Sequence, residues 1–267
     1  MSGSLPTDES AAAGAAAPFA IITGMHRSNT SLLARVLNHA GLAVGDQLIG
    51  ANEFNPYGHY EDDPIARWHK EVLARRGLGW RVLTDPRIRV DPEEFQGAVR
   101  YVEARRARAS GPWGFKVPHA VLALDAWARF PEARFAFIFR HPREVIGSLL
   151  RRAGIQLYYK PYYPGQAMRT YVVYNRLIRD FRRAHPARSY LIDNRDLLVD
   201  PAGVVAHLSE RLGLGALSLR EGGLVDRGLT GRTHGGLPEL VAAGLSRARA
   251  PKVVYRELVA LSDSAGR

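Results

Sequence analysis

The stretch Ala20–Leu37, AIITGMHRSNTSLLARVL, passes from an apolar segment through a glycine, a basic residue and several hydroxyls into an amphipathic run. Phe19 to Thr23 is short, apolar and partly β-branched, which predicts a buried strand ended by Gly24. Beyond the loop, Leu32, Leu33, Val36 and Leu37 recur at helical spacing, so a helix is expected from Thr30 to Ala40, stopped by Gly41. Strand, loop and helix in that order open an α/β fold. A glycine-containing turn feeding a helix presents backbone N–H groups and the positive end of the helix dipole, which together bind phosphate. Arg27 adds a fork for oxyanions, and Ser28, Thr30 and Ser31 add hydroxyl donors. The bland alternative is a strand-to-helix turn with serine and threonine caps. The Walker pattern would need Gly and Lys five and six residues after Gly24, where Asn29 and Thr30 stand, so no lysine reaches a β/γ-phosphate.

Outward from that unit, the chain keeps alternating. Trp113–Val117 and Ser189–Asp193 read as strands, and Ala133–Arg140, ARFAFIFR, is the clearest buried strand of all. Helices are expected over Pro64–Arg76, beyond a loop at Leu83–Gln96, and over His119–Phe130. Others follow after Pro142, over Gly165–Ala184, over Pro201–Leu214 and after Pro251. Gly50–Asp62 reads as loop, and Glu221–Leu240 as a Gly-rich basic region. Alternating strands and helices imply a three-layer α/β/α fold around a mainly parallel sheet. Residues 1–17 read as a disordered tail, with no basic start for a secretory signal, and 18–267 as one domain.

Lys plus Arg number 37 against 26 Asp plus Glu, a net charge of +11 that attracts anionic partners. The basic residues are scattered and carry no nucleic-acid-binding motif, so no specific nucleic acid is expected. Cysteine is absent, which excludes disulfides, thiolate nucleophiles and Cys-ligated metals. No apolar run spans a bilayer, and a cytoplasmic protein is the expectation. The histidines show no metal-ligand spacing, and the four tryptophans read as core or acceptor-pocket walls. The aromatic run Tyr158–Gly165 reads as a sugar or phenol grip, or as packing.

A second segment, FIFRHPREVIGSLLRR (Phe137–Arg152), puts Arg140 at the end of the most buried strand and Ser148 eight residues later on the following helix. Ligands of parallel sheets sit beyond such strand ends. Taken with GMHRSNTS (Gly24–Ser31), this segment resembles the paired signature of sulfotransferases that use 3′-phosphoadenosine-5′-phosphosulfate, PAPS, on a P-loop NTPase-like fold. Arg at position 27 is similar to the tyrosylprotein and bacterial branches. The resemblance implies that Gly24, Met25, His26, Arg27, Ser28, Asn29, Thr30 and Ser31 hold the 5′-phosphosulfate. Arg140 and Ser148 would hold the 3′-phosphate. The stretch RGLTGRTHGG (Arg227–Gly236) resembles the basic loop that closes over the nucleotide, adding Arg232. Asn29 stands where the family has Gly; if that position takes positive φ, Asn is the next most tolerant residue.

By the same resemblance, Glu61 in GHYEDD is the candidate base and His59 the competing one, its unperturbed pKa being near neutrality. Asp62 and Asp63 read equally well as a helix N-terminal acidic cluster. Lys116 in GFKVPH resembles the charge-stabilising lysine of a K-x-P element, whereas His119 reads as a helix-start residue. The implied reaction moves a sulfuryl group from PAPS to a glycan, lipid or secondary-metabolite hydroxyl, leaving 3′,5′-ADP (PAP), with no metal. The rivals are a kinase-like nucleotide enzyme, disfavoured by the missing lysine, and a non-catalytic nucleotide or anion binder, kept open by Asn29.

Overall fold

The structure, a computed structural model, describes residues 16–51, 57–82, 88–153, 163–219, 224 and 236–263. Strand β1 (Phe19–Thr23) is buried along its whole length. It lies between β2 (Gly114–Lys116) and β3 (Ala133–Phe139), with β4 (Ser189–Asp193) beyond β3, and every pairing is parallel.

Parallel neighbours need crossovers. Between β1 and β2 run α1 (Thr30–His39), α2 (Asp63–Ala74) and α3 (Pro92–Arg108). A 3₁₀ segment (Pro118–Ala123) and α4 (Leu124–Trp127) join β2 to β3, and α5 (Pro142–Ala153) and α6 (Tyr163–Ala184) join β3 to β4. Then follow α7 (Asn194–Val199), α8 (Pro201–Leu212), α9 (Leu237–Ser246) and α10 (Arg249–Leu261).

Successive strand residues face opposite sides of the sheet. Ala20, Ile22, Ala136 and Ile138 pack on one side against Leu33, Val36 and Leu37 of α1 and Val204, Val205 and Leu208 of α8. Phe19, Ile21, Phe135 and Phe137 pack on the other with Phe115, Trp127 and the apolar faces of α5 and α6. Fully burying each phenylalanine contributes roughly 1.5–3 kcal/mol, which explains why ARFAFIF forms the strand. Both faces are covered, giving the expected three layers around a parallel sheet.

Helix ends follow local chemistry. Asp91 and Glu94 form a capping box at α3, the Asp200 carboxylate accepts from the Gly203 N–H at α8, and Gly213 ends α8 at φ 62°. Gly41, at φ 105°, follows α1 as the sequence implied.

Three segments depart from their expected form. Pro118–Ala123 is 3₁₀ rather than α-helix and all six residues are buried, so it has no solvent face for an amphipathic pattern to mark. Leu237–Ser246, read partly as Gly-rich loop, is helical, because the paired glycines precede it in sequence, LPELVAA brings Leu, Glu and Ala, and Gly244 falls only in the last turn. The last helix begins at Arg249 and carries Pro251 in its first turn, where the missing N–H costs nothing. The tail lies almost wholly outside the described residues. Among these residues no helix is long and apolar enough to cross a membrane.

Candidate active site

β1 is flanked on one side by β2 and on the other by β3, so the chain diverges at its carboxyl end and a crevice opens there. The β1–α1 loop fills that point. A Cβ at Gly24 would lie 2.3 Å from the Ile138 carbonyl oxygen, so only glycine lets the loop turn this close to β3. Arg27 and Asn29 both adopt left-handed backbone, at φ 69° and 66°. The asparagine tolerates this conformation, whereas the arginine loses on the order of 1–2 kcal/mol by it. The positive φ reasoned for position 29 is observed. Helix α1 has no acidic residue in its first turn and no side-chain cap from Asn29, leaving its positive end uncompensated by either. Ser28 is fully buried, and its Oγ has no hydrogen-bond partner among the described residues.

The second segment meets this loop. Arg27 Nε donates to Ser148 Oγ at 2.8 Å, and Arg140 Nη1 reaches the Arg27 carbonyl oxygen at 3.4 Å. Arg140 follows β3 and is steadied by Glu144 Oε2 at 2.8 Å; Tyr171 Oη donates to its carbonyl at 3.0 Å. Ser148 lies two turns into α5 and is buried. Arg151, on the next turn, pairs with Glu239 of α9, whose carboxylate sits over Gly147. Burial, then the nearby charges of Arg152, Arg140 and Arg151, pull the Arg27 pKa down to about 10. Among the described residues no carboxylate pairs with Arg27.

On the β2 side, buried Lys116 donates to Glu61 Oε1 at 2.8 Å, to the His59 carbonyl at 3.2 Å and to Ser31 Oγ at 3.3 Å. Ser31 Oγ itself donates to the His59 carbonyl at 3.1 Å, joining the lysine to the loop. Tyr60, left-handed at φ 53°, bends the backbone so that the His59 carbonyl and the Glu61 carboxylate converge on one ammonium. Burial would raise the Glu61 pKa, but the charge and hydrogen bond of Lys116 outweigh it and hold the carboxyl below its usual value of 4.5. The His59 imidazole lies below 6.5, chiefly because it is partly buried.

Rings wall the space behind. The His26 ring lies 4.9 Å from His119, 5.4 Å from Trp80 and 6.1 Å from Tyr174. His26 Nε2 and His119 Nδ1 are both buried without a hydrogen-bond partner among the described residues. Burial lowers both imidazole pKa values, that of His119 to about 4, so both rings are neutral at physiological pH. Arg81 lies over the Trp80 and Tyr163 rings.

The structure therefore gathers Gly24, Arg27, Ser28, Asn29, Thr30, Ser31, Glu61, Lys116, Arg140 and Ser148 around one end of the sheet. Met25 belongs to the hydrophobic core, so only its backbone can face a ligand. His26 turns its ring toward His119 and Trp80, and His59 offers Lys116 its carbonyl rather than its imidazole. Arg232 and most of the aromatic run Tyr158–Gly165 lie outside the described residues. Sequence reasoning missed Arg151 and Arg152 and gave His119 only a structural place, while Trp80 was read with the other tryptophans as core or acceptor-pocket wall. The doubled arginine after Ser148 was the one available signal, on the same helix and one turn further along.

A parallel sheet ending in a glycine turn thus brings clustered arginines and hydroxyls to one strand-to-helix loop. The chain matches the sulfotransferase family over residues 18–217, and it belongs to that family. Its fold is similar to that of the sulfotransferase domain from the curacin biosynthetic pathway, at 15% identity and a TM-score of 0.52, covering 93% of this chain and 99% of that one. It is also similar to a sulfotransferase from Mycobacterium avium, at 14% identity and a TM-score of 0.52, covering 96% of this chain and 79% of that one. These likenesses establish the P-loop NTPase-like α/β fold. No curated protein matches the chain in sequence.

Proposed function

We propose that this sulfotransferase takes its sulfuryl group from PAPS and passes it to a hydroxyl acceptor, releasing 3′,5′-ADP. The observation that carries the reading is the Arg27–Ser148 hydrogen bond, with Arg140 at the Arg27 carbonyl, between segments 121 residues apart. Such a donor carries anions at both ends of its ribose, and two separated basic segments meeting at one strand end match that demand. Two further features fit it among the described residues: the buried Ser28 hydroxyl without a hydrogen-bond partner, and an arginine whose charge is opposed by neighbouring arginines and paired with no carboxylate. The donor, when bound, supplies a sulfuryl group on a phosphate leaving group.

Arg27 and the loop amides hold the 5′-phosphosulfate and stabilise charge at the bridging oxygen; Arg140 and Ser148 hold the 3′-phosphate, with Arg232 added from the Gly-rich region. Glu61 removes the acceptor proton. Its depressed pKa keeps it ionised at neutral pH, and Lys116 holds its carboxylate in place and offsets charge as the proton moves. Trp80 and the neutral His26–His119 pair stand on the acceptor side, where their rings pack a flat or apolar acceptor body. The acceptor is the hydroxyl of a glycan, a lipid or a secondary metabolite.

Ligand-dependent melting tests the donor. At 100 times its dissociation constant a ligand stabilises the folded state by about 2.7 kcal/mol, so 3′,5′-ADP should raise the melting temperature well beyond ATP or 5′-AMP. Equal responses to all three overturn the assignment. An acceptor screen with labelled PAPS, repeated with Glu61→Gln and His59→Ala, then separates the two bases.

A further inference from the structure

Asn29 occupies the N-cap position of α1, where asparagine normally has extended backbone and turns its side chain onto the first-turn N–H groups. Here it does neither. Its backbone is left-handed, and its side chain makes no bond to the helix it precedes. Instead Asn29 Nδ2 donates to Asn194 Oδ1 at 2.7 Å, across 165 residues of chain. Asn194 is the first residue of α7, is 2% exposed, and stands just past the end of β4. Asp193, immediately before it, caps α7 by accepting from the Arg195 N–H, which fixes the local backbone.

We infer that Asn194 is a positioning residue that holds the Asn29 side chain away from the start of α1, and so keeps a strong N-cap from competing with the donor for the loop amides. The inference rests on the donor reading given above. A freed asparagine can relax to the extended backbone of an ordinary cap and satisfy first-turn donors itself. The helix gains, and an incoming anion must displace that cap. Glycine at the same position has nothing with which to cap and accepts positive φ without strain, so it needs no such partner. The Asn29–Asn194 pair is then one way for a loop to carry a side chain at this position and still present its backbone to a ligand.

The scheme separates from a simple structural latch. If the bond only braces the loop, Asn29→Gly and Asn194→Ala weaken donor binding alike, and combining them gains nothing. If it restrains a competing cap, Asn194→Ala weakens 3′,5′-ADP binding by about tenfold, the scale of one N-cap contribution. Adding Asn29→Gly to that variant then recovers most of the loss, because glycine presents the same amides with no side chain to cap them. Titration calorimetry of the full chain with 3′,5′-ADP reads all four proteins, and kinetics should show the change in KM for PAPS rather than in kcat. Asn194→Ser, too short to reach Asn29 but still polar, replaces the alanine variant if that one does not fold. Parent protein that binds 3′,5′-ADP, with an Asn194→Ala variant that binds equally well or is not rescued by Asn29→Gly, overturns the inference alone. Parent protein that does not prefer 3′,5′-ADP to 5′-AMP overturns the donor reading and this inference with it.

Discussion

At one end of the site the buried Lys116 ammonium is met by a carboxylate, a carbonyl and a hydroxyl; at the other, Arg27 is met by a serine hydroxyl and three further arginines. Both cations are largely removed from water, so both need compensation. Lys116 has it within the fold. Arg27 has no paired carboxylate among the described residues, and two of the arginines around it, Arg140 and Arg151, each already hold a glutamate of their own. A cation satisfied internally can organise a base, whereas one left short of negative charge is prepared for an anion that arrives from outside. On the function proposed above, proton transfer falls to the β2 side and the donor to the β3 side.

Arg27→Ala should break the anion side most severely. Loss of a charge-stabilising donor typically costs 10²–10³-fold in kcat, and steady-state turnover of PAPS should fall by about that much while urea melts change little. An unaltered kcat would remove Arg27 from the reaction.

Glu61→Gln should break the other side. It leaves the Lys116 charge buried without its carboxylate, a loss of about 3 kcal/mol in denaturant unfolding, together with most of the activity. His59→Ala keeps the backbone carbonyl that Lys116 uses and should retain both. The reverse pattern transfers the base to His59. The pH dependence sharpens this test. The folded pKa of Glu61 is depressed, so its stabilising contribution is complete above 4.5 and fades as pH falls through the folded value. The acid limb of kcat/KM should therefore lie below pH 4.5, and a limb close to the 6.5 of histidine would count against Glu61.

Gly24→Ala probes the point from which both sides are built. Its Cβ would lie 2.3 Å from a backbone oxygen of β3, so the loop must shift, with a destabilisation of about 1–3 kcal/mol and weaker 3′,5′-ADP binding. The smallest expected effect is that of salt. Raising ionic strength from 0.01 to 0.15 M shortens the screening length from about 30 to about 8 Å, which should raise KM for PAPS a few-fold and leave KM for an uncharged acceptor unchanged.

The β1–α1 unit was legible because its signals are local: four apolar residues and a threonine, a glycine, and apolar residues at helical spacing, all between Phe19 and Leu37. The places of Arg140 and Ser148 at one strand end and on one helix were legible locally, although by themselves they read equally as a salt-bridging arginine and an incidental helical serine, and their role came from the resemblance. Lys116 and Glu61 could be nominated only by resemblance, since their pairing across 55 residues has no local trace. His119 was read as a helix start, which its place at the head of the 3₁₀ segment bears out, yet its ring also faces His26. Nothing near it in sequence announces that neighbour.

Residue order alone settled which segments are strands, that they run parallel, and where glycine and arginine stand at the sheet's end, because periodicity and turn chemistry act over a few residues. Only the folded chain decided which charges are answered and which are not. Burial and ion pairing depend on side chains that sheet order brings together from as far apart as Asn29 and Asn194, and Coulomb energy follows distance in space rather than along the chain.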